Sequence, residues 1–177
     1  MKKSILLSLV LFLALGLMTG CSKLDITEEF DIEITFIANS TTAAYDDKIV
    51  FDATESIDII ADYADKIKEI EILNVTVRLT SFNGPDDQEN VLNTLSVASE
   101  SSEGETTVGT VSDVLLKPLL DTEMPVTIEQ AGIDRFCELI KDSPHKALVS
   151  NVGTANSEPI DFVCVFTFEV KMTANPL

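Results

Sequence analysis

The sequence predicts a mostly β domain, an antiparallel β-sandwich of immunoglobulin-like type with two short helices in its connections. Three observations carry this. Seven or so segments alternate apolar and polar residues with a period of two. Turn residues separate those segments at intervals of about 8–20 residues. Only two stretches show helical spacing. An α+β arrangement, with both helices on one face of an antiparallel sheet, is the alternative. No internal repeat is present.

Near the start, Phe30, Ile32, Ile34 and Phe36 alternate with Asp31, Glu33 and Thr35, a strand with one wet face. Asn39 to Thr42 reads as a loop and Lys48 to Ala53 as a second strand. Thr54 or Ser56 can cap a helix over 57–69, where Ile60, Tyr63, Ala64, Ile67 and Ile70 recur at helical spacing. The period then switches. Leu73, Val75, Val77 and Leu79 alternate with polar residues, Asn83 to Asp87 turns the chain, and Val91 to Ala98 returns. Residues 72–98 are therefore predicted as a hairpin.

Ser99 to Thr106 is a polar loop, and strands follow at Thr107 to Val111 and at Val114 to Leu120, the latter broken by Pro118. Thr127-Ile128-Glu129-Gln130 has capping-box form ahead of a helix over 128–142. Ile133, Phe136, Cys137 and Ile140 share one face of that helix, and Asp142-Ser143-Pro144 stops it. Ala147 to Ala155 is a strand and Asn156 to Pro159 a turn. In the last strand Phe162, Cys164, Phe166, Phe168, Val170 and Met172 face one way. It runs for about 12 residues against a usual ~5–6, which predicts a place near the middle of a sheet.

The first 21 residues carry an address. Met1-Lys2-Lys3 is a basic start, and Ile5 to Met18 is an apolar run of 14 residues interrupted only by Ser8 and Gly16. That suits a signal peptide, whereas a membrane-spanning helix needs roughly 20 residues. Leu17-Met18-Thr19-Gly20-Cys21 resembles the lipobox of bacterial prolipoproteins. The resemblance implies cleavage by type II signal peptidase between Gly20 and Cys21, diacylglycerol on the Cys21 thiol and acylation of the new amino terminus. Met18 stands where leucine is commonest in that motif. The resemblance implies 1–20 as a cleaved signal peptide, 21–28 as lipidated cysteine and spacer, and 29–177 as a single β-rich domain.

Ser22 is not the aspartate that resembles an inner-membrane retention signal, so an outer-membrane location is expected, on its periplasmic or its external side. Lys23 with Asp25, Glu28 and Glu29 loosely resembles acidic signals that follow the cysteine of surface lipoproteins. Lys66 to Ile70 and Thr173 to Pro176 resemble segments of small bacterial envelope lipoproteins, a resemblance to which no activity attaches.

Removing residues 1–20 takes away two of the twelve basic residues and none of the thirty acids, leaving a net charge of −20. Such acidity opposes binding to nucleic acid, where affinity comes from Lys and Arg neutralising phosphates, and opposes adsorption to anionic lipid. It favours solubility and repulsion between neighbours.

Candidate chemistry is sparse. Cys137 and Cys164 both read as buried small hydrophobes; export makes a disulfide between them available if their Cα atoms come within ~7 Å. His145, the only histidine, reads as a surface loop residue without a nucleophile elbow to serve. One histidine and two apolar-facing cysteines give no zinc spacing. Asp86-Asp87-Gln88-Glu89-Asn90 clusters oxygens but departs from an EF-hand loop, so no metal and no cofactor is expected. With no Trp, and only Tyr45 and Tyr63 beside core-facing phenylalanines, a stacked sugar platform has little material.

The expected function is therefore that of a membrane-anchored, non-enzymatic structural or binding module, held through lipid on Cys21. A surface pilin or adhesin subunit is the first alternative, although Arg78 and Arg135 sit inside predicted elements rather than in an arginine cleavage segment. A hydrolase using carboxylates is the second.

Overall fold

The structure, a computed structural model, describes residues 25–101 and 104–176. Gly20 and Cys21, with the predicted cleavage and lipidation, lie outside the described residues.

Nine strands form two antiparallel sheets. In order they are β1 (Ile26–Ser40), β2 (Ala44–Asp52), β3 (Ile67–Phe82), β4 (Glu89–Ala98), β5 (Thr106–Leu115), β6 (Met124–Pro125), β7 (Thr127–Ile128), β8 (Lys146–Ala155) and β9 (Ile160–Ala174). The first sheet has the order β1-β9-β3-β6 and the second β2-β8-β4-β5-β7. Three helices lie in the connections: α1 (Ala53–Ser56), α2 (Asp58–Tyr63) and α3 (Gln130–Lys141).

The predicted sandwich is the architecture found, but the immunoglobulin-like strand order is not. Pairing is nested: β1 lies against β9, β2 against β8, β3 against β6 and β4 against β5. That connectivity is a jelly roll, two Greek keys made by rolling up one long antiparallel ribbon. The predicted 72–98 hairpin fails for the same reason. β3 and β4 belong to different sheets, and the chain crosses the sandwich at 83–88. Alternation fixes which face of a strand is buried and leaves its partner open.

β9 takes the central position predicted for it. Phe166 stands opposite Ile34 on one side and Val77 on the other, and Phe168 opposite Ile32 and Val75. Ile32, Ile34, Phe36, Phe166 and Phe168 are all buried.

Helix boundaries depart from expectation. The helix predicted over 57–69 is replaced by α1, α2 and a 3₁₀ turn at Ala64–Lys66, and Ile67 already pairs with Ala174. Its cap is Asp52, whose carboxylate accepts from the Thr54 and Glu55 amides. In α3 the predicted capping box does not form. Thr127 belongs to β7, and Glu129 at the N-cap makes no side-chain cap bond.

α3 lies between the sheets rather than on one face. Phe136 packs 6.1 Å from Phe51 of β2 and 5.0 Å from Phe168 of β9, ring centre to ring centre. Gly132 lets the helix approach β5: a Cβ there would fall 2.6 Å from Val108 Cα and closer still to the Thr107 carbonyl. Just before the helix, the Val126 amide donates to Val75 O and the Glu129 amide to Val108 O, so one short segment joins the edges of both sheets.

Candidate functional site

Between the sheets the core holds a polar cluster. Asn93 Nδ2 donates to Tyr45 Oη at 2.7 Å and to Asn151 Oδ1 at 2.5 Å. Tyr45 Oη donates to Asn90 Oδ1 at 3.1 Å, and Asn90 Nδ2 to the Val111 carbonyl at 3.2 Å. Burial pushes the Tyr45 phenol well above its ordinary range. The side chains come from β2, β4 and β8, so the cluster ties three neighbouring strands in register. The network is satisfied only in part, since the buried Asn93 Oδ1 has no hydrogen-bond partner among the described residues.

Cys164 sits at the edge of this cluster, accepting from Asn151 Nδ2 at 3.5 Å, and burial pushes its thiol up to about 12. Cys137 is half-buried on α3 beside the Ile72 backbone, and burial raises its thiol to about 11. Both thiols are free. The conditional disulfide does not form because the cysteines lie far apart. Ile72 stands opposite Val170, six residues along β9 from Cys164, about 20 Å at ~3.3 Å per residue.

His145 is not a surface residue: it is 8% exposed, with a left-handed φ of 62°. Its Nδ1 lies 3.1 Å from the Ile140 carbonyl, and its own carbonyl accepts from the Ala53 amide. The histidine thus fastens the end of α3 to the start of α1. The spacing of the chain after Pro144 gave no signal of this, because the burial comes from elements distant in sequence.

The Asp86 to Asn90 segment is also divided by the fold. Asp86 pairs with Lys117, whereas Gln88 is buried and donates to the Ser157 and Pro159 carbonyls. Among the described residues no group of three or more His, Cys, Asp or Glu side chains converges on one point. Arg78 lies within β3 and Arg135 within α3, as predicted, paired with Glu33 and Glu138. Tyr45 is in the core and Tyr63 is half-buried.

Three surface hollows adjoin the sheets or α3, one of them, of about 460 Å³, between Ser99 to Ser101 and the end of α3. A groove of about 740 Å³ runs between β3 at Lys68 to Ile72 and the outward side of α3, with Cys137 on its wall. Its rim carries acids and lysines, several already paired, as in Lys171 with Glu71.

Another surface is the outer face of the β2-β8-β4-β5 sheet. Its rows run Ala44, Thr154, Leu92, Ser112 and then Asp46, Val152, Thr94, Thr110. A shallow hollow of about 360 Å³ lies among Leu92, Thr94, Val152 and Thr154. At one end Glu105 folds over the face, accepting from Ser150 Oγ and pairing with Lys48 at 2.8 Å. That pairing holds the Glu105 carboxyl below its usual range.

The outer face of the other sheet is built differently. Glu29, Lys171 and Glu71 form one row and Asp31, Glu169 and Asn74 the next. The acidity is therefore carried on this face, while the outward positions of β8, β4 and β5 in the two rows above are uncharged.

No protein-family model matches the chain, and no curated protein sequence matches it. Among solved structures, the chain is similar to one from tobacco necrosis virus at 10% identity, covering 86% of this chain and 97% of that one, with a TM-score of 0.46. A structure from desmodium yellow mottle tymovirus is similar at 9% identity, over 86% and 90% of the two chains, with a TM-score of 0.42. The strand order defines the fold, independently of these likenesses.

Proposed function

We propose that the protein is a lipid-anchored, non-enzymatic module of a bacterial envelope whose sandwich works by surface contact. The observation that carries this reading is the position of β1. It starts at Ile26, so residues 22–25 alone separate it from Cys21, a reach of at most ~18 Å at ~3.5 Å per residue. β1 thus begins within the stretch 22–28 expected as spacer. Asp25 pairs with Lys68, and Lys66 Nζ donates to the Pro176 carbonyl, so the same end of the sandwich is tied together next to the tether. A lipid on Cys21 would hold that end against the membrane and turn the sheet faces toward neighbouring molecules. The groups with most chemical potential support the same reading, since His145, Cys164 and Tyr45 are each committed to packing.

Fractionation of cells expressing the full chain tests the anchor. The wild type should sediment with membranes and incorporate labelled acyl chains, and Cys21→Ser should appear as soluble, folded protein. A Cys21→Ser variant that stays on the membrane refutes the tether. Substrate turnover abolished by one point substitution refutes the non-enzymatic reading.

A further inference from the structure

The unequal charge of the two sheet faces singles out a partner. We propose that the outer face of the β2-β8-β4-β5 sheet is a self-association surface, on which two copies of this chain pack face to face about a two-fold axis. The proposal rests on the anchored reading above for the local concentration it needs.

The first argument is electrostatic. Two domains of net charge −20 repel, but at physiological salt the Debye length is about 8 Å, so charges near the contact decide the outcome. On the β1-β9-β3 face a copy would set Asp31 and Glu169 near their own like charges, beside a row in which Lys171 offsets only one of Glu29 and Glu71. On the opposite face the two exposed rows carry a single charged side chain, Asp46, with Lys48 two residues along the same strand. A basic partner would gain more from the acidic face. The neutral face suits a partner as acidic as this chain, which is what a second copy is.

The second argument is shape. Leu92 and Val152 are 47% and 38% exposed and lie diagonally across β4 and β8, beside the hollow. A projecting element and a receiving one on a single patch are what a self-complementary two-fold contact requires.

The third is size. Four strands at ~4.8 Å spacing and two rows of outward residues ~6.8 Å apart make a patch roughly 19 by 14 Å, about 270 Å² per copy. The total of about 540 Å² falls well short of the ~1,200–2,000 Å² of stable complexes. Association is therefore weak between free domains and becomes effective when tethering raises the local concentration.

Oxidative cross-linking of the full chain in membranes tests this, in a Cys137→Ala background. Thr94→Cys places a thiol at the centre of the neutral face, and Thr167→Cys places one at the centre of the acidic face. We expect at least about tenfold more homodimer from Thr94→Cys, and about a tenfold loss of it on adding Val152→Lys. Equal yields at the two positions, no response to Val152→Lys, or a dominant adduct at Thr94→Cys with a different protein would each overturn the proposal.

Sedimentation of purified full chain supplies a measurement independent of these variants. Self-association should strengthen between about 20 mM and 500 mM salt, as repulsion is screened. Weakening with salt overturns the proposal. If Cys21 proves unlipidated, the anchor reading fails by itself, and concentrated released protein still carries both tests.

Discussion

Replacing Gly132 by alanine sets two effects of opposite sign against each other. Alanine is preferred over glycine within a helix by ~1 kcal/mol, and by less near the first turn, where Gly132 sits. Local propensity alone therefore predicts a stabilised protein. Packing predicts the reverse. The added Cβ would lie 2.6 Å from Val108 Cα and press on the Thr107 carbonyl, whereas such contacts ordinarily begin near 3.4 Å. The obstacle is backbone of β5, which is held by β4 on one side and β7 on the other, so it cannot rotate aside. α3 must withdraw by about 1 Å, loosening Ile133, Phe136 and Ile140, all of them buried. Overpacking of this kind costs ~1–3 kcal/mol, and a backbone clash belongs at the upper end. Subtracting the propensity gain leaves a net loss of about 2 kcal/mol. For a domain of this size that lowers Tm by ~4–8 °C. Calorimetry or circular dichroism on the wild type and Gly132→Ala decides it, and an unchanged or raised Tm would refute the close approach of α3 to β5.

Three further outcomes follow from the site geometry. Tyr45→Phe removes the hydroxyl shared by Asn93 and Asn90, and should lower stability by ~1–3 kcal/mol, read as a lower urea midpoint at unchanged slope. Asp52→Ala should cost about 1 kcal/mol at neutral pH through the lost helix cap. The Lys146 ammonium, followed by the Thr54 hydroxyl, holds the Asp52 carboxyl far below its ordinary range. Its contribution is thus complete above the unfolded carboxylate pKa of ~3.9 and lost as pH falls through the folded value; the gap between wild type and variant in urea melts at descending pH should close accordingly. Finally, mass spectrometry after oxidation should find no Cys137–Cys164 bridge, with Cys137 alkylated slowly in the native protein and Cys164 only on unfolding.

What the sequence disclosed was local. The alternation of Phe162 to Met172 identified a strand buried on one face, and its length placed it centrally, because a long apolar row needs cover along its whole extent. Ile32 and Ile34 were legible for the same reason. The partners of each strand were not, since the pleat of β3 would read the same beside β4 as beside β9. Asn93 and Asn151 carried one usable signal: each occupies a position that the strand period assigns to the core, where an amide must find hydrogen bonds. Asn90 carried none, because an irregularity between Asn90 and Leu92 breaks the period and turns it inward. His145 and Gly132 carried none, because their roles depend on chain segments distant in sequence. The neutral face was hidden within a composition that is strongly acidic on average, and only strand register separates it from the charged face.

The nested pairing has a kinetic consequence. Thr27 and Thr173 hydrogen-bond across a sequence separation of 146, so the outermost pair closes a loop spanning nearly the whole domain. Folds dominated by such distant contacts fold in milliseconds to seconds, far more slowly than helical bundles. Among the described residues β1 has no sheet partner other than β9, the last of the nine strands in sequence. The β1-β9-β3 sheet therefore cannot close before β9 is available to pair. Loss of β9 would remove the middle of one sheet rather than its margin, so deletion of Ile160–Ala174 should abolish folding outright.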